Sequence, residues 1–211
     1  MTEERCVVLG GGGHARVVID CLRSQGSPVL VGVLDAALAP SASGVDDLPV
    51  LGDDSLLPAL RQQGVSHFVV GVGGVGDNTV RERLFQLGVA AGLEPAIAVH
   101  RRATVAPSAQ IGAGTVVLAG AVVNPGVVIG CNVIVNTGAV VDHDCSVGDH
   151  AHVSPRATLC GRVSVAARAH VGAGAVVLQG VSIGAAAVIG LGAVVLRDVD
   201  AGQTVVGVPA R

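Results

Sequence analysis

Large aromatic side chains are almost missing from this chain. Of 211 residues 2 are Phe, and Trp and Tyr are absent, although 50% of the sequence is hydrophobic. A core of that kind must be filled by small aliphatic side chains, which reach interior density only where a regular backbone packs tightly on itself. Basic runs are missing too. Lys and Arg number 13 against 16 Asp and Glu, a net charge of −3, so no nucleic-acid footprint is present. No apolar stretch reaches about 18 residues without a glycine or a charge, so no membrane span is expected. The opening Met1-Thr2-Glu3-Glu4-Arg5 carries two acids, and the apolar run behind it stops at Gly10, unlike a signal peptide. Cys6, Cys21, Cys131, Cys145 and Cys160 are odd in number and lack C-x-x-C spacing. They read as reduced thiols of a cytoplasmic protein.

What is present divides into two halves with different periods. Residues 1–100 alternate strand-like and helix-like segments. Strands are expected at Arg5–Gly10, Val29–Leu34 and Phe68–Val72, and helices at Ala15–Gln25, Asp53–Gln63 and Asn78–Ala91. Continuous apolar strands alternating with helices imply a small, Rossmann-like α/β domain with a parallel sheet.

Residues 101–211 follow a period of six. From Val105, steps of six meet Ile111, Val117, Val123, Ile129, Val135, Val141, Val147, Val153, Leu159, Val165, Val171, Val177, Ile183, Ile189 and Val195 without a miss. Four residues after each aliphatic lies a second inward position, as at Thr115, Ala121, Val127, Val133 and Ala139. Gly often follows the aliphatic directly, as at Gly112, Gly130, Gly148 and Gly172, and is expected to relax the turn. Each hexad then forms one flat side of a triangular prism, and three close a coil. About five coils are expected between Val105 and Asp200. The buried column contributes roughly 1.5–3 kcal/mol per side chain.

The glycine run Gly10-Gly11-Gly12-Gly13-His14 follows the first strand, and Asp35 ends the second. The spacing fits a dinucleotide fingerprint and alone would suggest a nicotinamide enzyme. Against that, the α/β half is short, no dehydrogenase-type catalytic set stands out, and the repeat half would have no purpose. The same backbone chemistry serves a pyrophosphate of another kind.

The repeat, the ending Gly207-Val208-Pro209-Ala210-Arg211, the glycine turn with His14, and the run Val141-Asp142-His143-Asp144-Cys145 then His152-Val153-Ser154-Pro155 carry a specific likeness. Together they resemble the left-handed β-helix sugar acetyltransferases of the PglD type and their NeuD-type O-acetylating relatives, over essentially the whole chain. The resemblance implies an acetyl-CoA-binding left-handed β-helix behind a nucleotide-sugar-binding domain, assembled as a homotrimer with active sites between prisms. It implies acetyl transfer to the 4-amino group of a nucleotide-linked 4-amino-4,6-dideoxysugar.

Within that implied site His143 is the general base and Asp144 its orienting carboxylate, with Asp142 a rival partner. Gly12, Gly13, His14, Asp35, Gly73 and Asn136 would meet the sugar nucleotide. His152, the N–H of Gly161, Ala173 and Leu191 would meet acetyl-CoA. An imidazole suits the task because its ordinary pKa lies near neutrality. By phase, His143 and His152 both point outward. His152 and His170, 18 residues apart, stack on successive coils, but two imidazoles do not complete a metal site and no metal is expected. His67, His100 and His150 read as surface residues. The segment Gly73–Asn78 is longer than in the PglD type and resembles that of the NeuD-type relatives, which leaves N- versus O-acetylation open. Remaining alternatives are an O-acetyltransferase of sialic-acid-like sugars, a zinc hydratase on the same prism and a non-catalytic nucleotide-sugar scaffold.

Overall fold

A computed structural model describes residues 4–211 of the chain, and their side chains except at 42 and 43. Met1, Thr2 and Glu3 of the acidic opening lie outside the described residues. The N-terminal unit runs β1 (Arg5–Leu9), α1 (Gly13–Gln25), β2 (Val29–Leu34), β3 (Ser41–Val45), β4 (Leu48–Gly52), α2 (Leu57–Gln62), β5 (His67–Val70), α3 (Thr79–Ala90) and β6 (Glu94–Pro95). Their order in the sheet is β3-β4-β2-β1-β5-β6. Every pairing is parallel except that of β3 with β4, a hairpin that caps one edge. Its turn places Asp46 and Asp47 at φ 50° and 62°, the left-handed pair that suits strand twist. The single helix expected from Asp53 is a 3-10 turn, Asp54–Leu56, running into α2.

One face of the sheet buries Val7, Leu9, Leu34 and Phe68 against Leu57, Leu60 and Leu84 of the following helices. The other face buries Val8, Val33 and Val69 under α1, whose Val18, Cys21 and Leu22 share a continuous core with Ala98, Val116, Leu118 and Ile134 of the prism. Helix α1 is therefore packed between sheet and prism, which fixes the glycine turn against the repeat.

The prism has three parallel walls of 7, 6 and 5 two-residue strands, a left-handed β-helix of about six coils. Ala98–Val99 already pairs with Val116–Val117, and Thr204 pairs with Val188, 16 residues back, so the repeat extends past both expected ends and its last coil is short. The first wall carries Val116–Val117, the second Val122–Val123 and the third Val128–Ile129, with their successors 18 residues on. The inward columns Val117 to Val195 and Ala121 to Ala193 are buried throughout. The outward column of the first wall, Ala98, Val116, Ile134, His152 and His170, is buried by the N-terminal unit. No helix among the described residues is long and apolar enough to cross a membrane.

The turns differ from the expectation. The left-handed residue is the third after each aliphatic, and every sixth residue from Gly114 to Gly192 adopts positive φ. Seven of these are not glycine: Asn132, Asp144, His150, Arg156, Arg162, Arg168 and Ala186. The glycines directly after the aliphatics serve close stacking instead. A Cβ on Gly112 would stand 2.4 Å from the Gly130 carbonyl, and one on Gly172 2.5 Å from the Ile189 oxygen.

The two kinds of glycine should respond differently. At Gly174, φ +69° and with open space around a Cβ, Gly→Ala should cost about 1–2 kcal/mol of backbone strain. Gly112→Ala must also separate two coils and should cost more. Denaturant unfolding of both variants checks this, and the reverse order would refute it.

Candidate active site

The glycine turn is built by β1 ending against β2. Gly10, at φ +97°, donates to Leu34 O at 2.8 Å. The Asp35 carboxylate braces the turn, accepting from Gly11 N at 2.6 Å and Ala37 N at 2.8 Å. Each oxygen keeps a further lone pair for a ligand. A Cβ on Gly12 or Gly13 would meet nothing within 4 Å, so packing within the chain does not demand glycine there. What these glycines leave is open access to the first-turn N–H groups of α1, a helix with no acidic residue in that turn. Such an end attracts a pyrophosphate.

Behind this turn lies a buried imidazole cluster. Gly73 lies against His14, whose Cβ and Cγ would be 3.4 Å from an added Cβ. His14 Nε2 is buried without a partner. His152 approaches Gly74 O through Nδ1 at 2.8 Å, so Nδ1 holds the proton and Nε2 accepts from Asn136 Nδ2 at 3.0 Å. His170 stacks edge-on at 4.9 Å between centroids. His152 points out of the prism wall as expected, yet is only 5% exposed because the N-terminal unit covers that wall. Burial, then the neighbouring His170, takes its pKa down to about 3. Burial, then Arg81, takes that of His14 to about 4.

Arg81 holds the junction together. Its guanidinium is 1% exposed and donates to the carbonyls of Asn132, His150 and Ala151. Sequence reading missed it, although its position, three before Leu84 and seven before Gly88, lies on the buried stripe of α3. The surface reading of three histidines is also corrected. His67, His100 and His150 have side chains only 17%, 10% and 14% exposed, each facing a carboxylate: Glu94, Asp20 and Glu82. His100 and His150 occupy junction positions that the hexad phase cannot reveal, and His67 sits within the N-terminal sheet between Ser66 and Glu94.

His143 stands apart, at the corner after the second wall. Its ring Nδ1 meets Asp144 Oδ2 at 2.9 Å, and Nε2 has no partner among the described residues. Asp144 reaches the ring because it occupies the left-handed corner position, φ 59°, where many other hexads carry glycine. Asp142 is occupied otherwise, accepting from His143 N at 2.8 Å and Asn124 Nδ2 at 2.7 Å. Those hydrogen bonds hold its carboxyl below the usual range. One coil on, Gly161 leaves room for the imidazole: a Cβ there would be 2.5 Å from Nε2. The Gly161 N–H donates to no acceptor among the described residues. A proton acceptor and a free backbone donor therefore lie side by side, the pair needed to deprotonate a nucleophile and receive an oxyanion.

The expected residues form three groups. Gly12, Gly13, His14, Asp35, Gly73, His152 and its partner Asn136 lie at the junction. Ala173 and Leu191 stack on the corner after the first wall, and Leu191 is 76% exposed. His143, Asp144 and Gly161 hold the next corner, separated from the others by the second wall. Among the described residues no three His, Cys, Asp or Glu are grouped to hold a metal ion.

Residues 5–87 match the family described as PglD N-terminal domain. The whole chain is similar to PerB from Caulobacter crescentus, solved with CoA and GDP-perosamine, at 44% identity and TM-score 0.91, covering 98% of this chain and 95% of that one. It is similar to the acetyltransferase domain of PglB from Neisseria gonorrhoeae, solved with acetyl coenzyme A, at 37% identity and TM-score 0.90, covering 99% and 98%. WeeI from Acinetobacter baumannii is 25% identical, with TM-score 0.76 and 98% of each chain covered. No curated protein sequence matches.

The buried histidines make stability pH-dependent. Unfolded, they take up protons below their ordinary 6.5; folded, His14 and His152 do so only near 4 and 3. Stability is therefore complete above pH 6.5 and is lost as pH falls below it. At pH 5.5 the two should cost about 3 kcal/mol together. The unfolding midpoint should then drop by about 6–12 °C between pH 7.5 and 5.5. Thermal scans check this, and an unchanged midpoint would contradict it.

Proposed function

The chain belongs to the hexapeptide-repeat sugar N-acetyltransferases, and from that membership we propose that it moves the acetyl group of acetyl-CoA to the 4-amino group of a nucleotide-linked 4-amino-4,6-dideoxysugar. The observation that carries the chemistry is His143, braced by Asp144 at Nδ1 and presenting a free Nε2 beside the Gly161 N–H. The sugar amine attacks the thioester carbonyl, and the new N–C bond forms as Nε2 takes the amine proton. The oxyanion of the tetrahedral intermediate accepts from Gly161 N–H. Collapse breaks the C–S bond, and the imidazolium returns its proton to the CoA thiolate. Asp144 fixes the tautomer and favours the imidazolium between these steps.

In this reading the sugar nucleotide lies along Gly12, Gly13, His14, Asp35 and Gly73, with Asn136 near its sugar. His152, Ala173 and Leu191 line the acetyl-CoA groove, the last two through main-chain N–H groups that have no acceptor among the described residues. The relative from Caulobacter crescentus, solved with both CoA and a sugar nucleotide, supports that pairing of ligands.

One chain separates its own groove corner from its own His143 corner, so the working site is shared in a homotrimer. The second wall between the two corners supports this. Its outward column Thr104, Val122, Val140, Thr158, Val176 and Val194 is mostly apolar, broken by two threonines, and Val176 is 39% exposed in the single chain. A neighbour seated there would bring its groove to His143. The five unpaired cysteines suit the reducing cytoplasm.

His143→Asn should lower kcat by about 10²–10⁴-fold on an aminosugar nucleotide, read as CoA release, with little change in melting because the side chain is 46% exposed. No CoA release from any UDP-, dTDP- or GDP-linked aminosugar by the unmodified chain would reject the substrate class.

The shared site has its own test. Ala173→Trp should block the groove, leaving this variant and His143→Asn each inactive alone. Mixed trimers of the two should regain about a quarter of normal activity, since only sites drawing the intact half from each subunit work. No recovery on mixing argues that each chain acts alone.

A further inference from the structure

We propose that a cavity beside the glycine turn reads the nucleobase and selects guanine over uracil, thymine and adenine, with Asp54 and Arg83 as the discriminating side chains. The inference rests on the nucleotide-sugar reading above and deepens it. The cavity measures about 230 Å³ and opens where β2 and β4 end. Gly10 and Asp35 form its inner rim, so a pyrophosphate on α1 and a ribose at Asp35 lead the base into it. Ala36, Val72, Val80 and Leu84 supply apolar walls suited to a flat ring.

Only a few polar groups face this slot, and two are unused. Asp53, the neighbour of Asp54, is consumed as a cap, accepting from Ser55 N at 2.9 Å and Ser55 Oγ at 2.5 Å. The Asp54 carbonyl accepts from Leu57 N, but among the described residues neither the Asp54 side chain nor that of Arg83 makes a hydrogen bond or ion pair. Arg83 nonetheless lies near enough to pull the Asp54 carboxyl down, against burial and the charges of Asp53 and Asp35, which together leave it raised. A carboxylate and a guanidinium therefore line one apolar slot without being joined to each other.

Base edges differ in what they offer to that pair. A carboxylate only accepts. Guanine presents two adjacent donors, N1–H and the 2-amino group, and beyond them the acceptors O6 and N7, which suit a guanidinium. Uracil and thymine flank their one ring N–H with two carbonyl oxygens, so a carboxylate that meets the donor also meets acceptors. Adenine sets an amino group beside a bare ring nitrogen. Of the four, guanine alone gives both Asp54 oxygens a donor and still offers acceptors to Arg83; adenine has one amino group for the pair of oxygens.

Calorimetric titration of the full chain with GDP, UDP, dTDP and ADP tests this. GDP should bind at least about tenfold more tightly than the other three. Asp54→Asn, which places an amide donor against guanine's donors, should reduce that advantage to within about threefold. Arg83→Gln should weaken GDP by about tenfold while moving UDP by less than about threefold. Both side chains lie at the surface, and an unchanged melting midpoint confirms folding. If UDP, dTDP or ADP binds as tightly as GDP, or Asp54→Asn keeps the preference, base selection by this cavity is overturned while the acetyl-transfer reading stands. If none of the four binds, both fall together.

Discussion

A ladder of backbone hydrogen bonds with an 18-residue repeat decides where every side chain of the prism stands, as Val116 on Ile134 and Ile134 on His152 show. The interval recurs in the side chains: Asn124 bonds Asp142, Asn132 bonds His150, Ser146 bonds Ser164, and His152 stacks on His170. The candidate site is the same ladder with functional groups placed on it. Gly161 lies one coil beyond His143 and Gly126 one coil before Asp144, and a Cβ at either would collide with the side chain it faces. The coil spacing is thus what holds Nε2 against a free N–H. The corners at Asp144, His150, Arg156, Arg162 and Arg168 are five left-handed non-glycine residues in succession. Each costs about 1–2 kcal/mol relative to glycine, a strain that the fully buried aliphatic columns can offset.

The second half was legible because a hexad carries its own instructions. An aliphatic at every sixth position needs no distant partner to declare it inward, so the prism and the outward direction of His143 follow from spacing alone. The function of each glycine does not. Gly112 and Gly114 look alike in the sequence, but one is required by the neighbouring coil, and the other combines a left-handed φ with the ring of Phe85, 2.6 Å from where a Cβ would stand. The β3–β4 hairpin escaped because its turn uses Asp46-Asp47 in place of a glycine-bearing pair. Arg81 escaped because a charge on the apolar stripe of a helix reads as surface until its acceptors are known.

The burial of His152 is a different case, since its signal was present. The outward column of the third wall reads Gln110, Val128, Ser146, Ser164 and Ser182, mostly polar, whereas that of the first wall begins Ala98, Val116 and Ile134. An outward column that stays apolar marks a face that another element covers. Phase tells inside from outside of the prism, but only the composition of each wall tells outside from solvent.

That distinction assigns the proton chemistry among the histidines. His14 and His152 lie in the junction, where burial and neighbouring positive charge hold them neutral far below ordinary pH. An imidazole that resists protonation so strongly is a poor proton acceptor near neutrality. His152 is further committed, with Nδ1 on Gly74 O and Nε2 on Asn136, so its place is to orient neighbours and ligands. His143 has the opposite surroundings. It is half-exposed, its Nδ1 meets the Asp144 carboxylate, and its Nε2 has no partner among the described residues. One fold thus keeps its buried imidazoles neutral as hydrogen-bonding parts, and the proposed mechanism draws on the corner imidazole of His143 instead. The division follows from which wall the N-terminal unit covers.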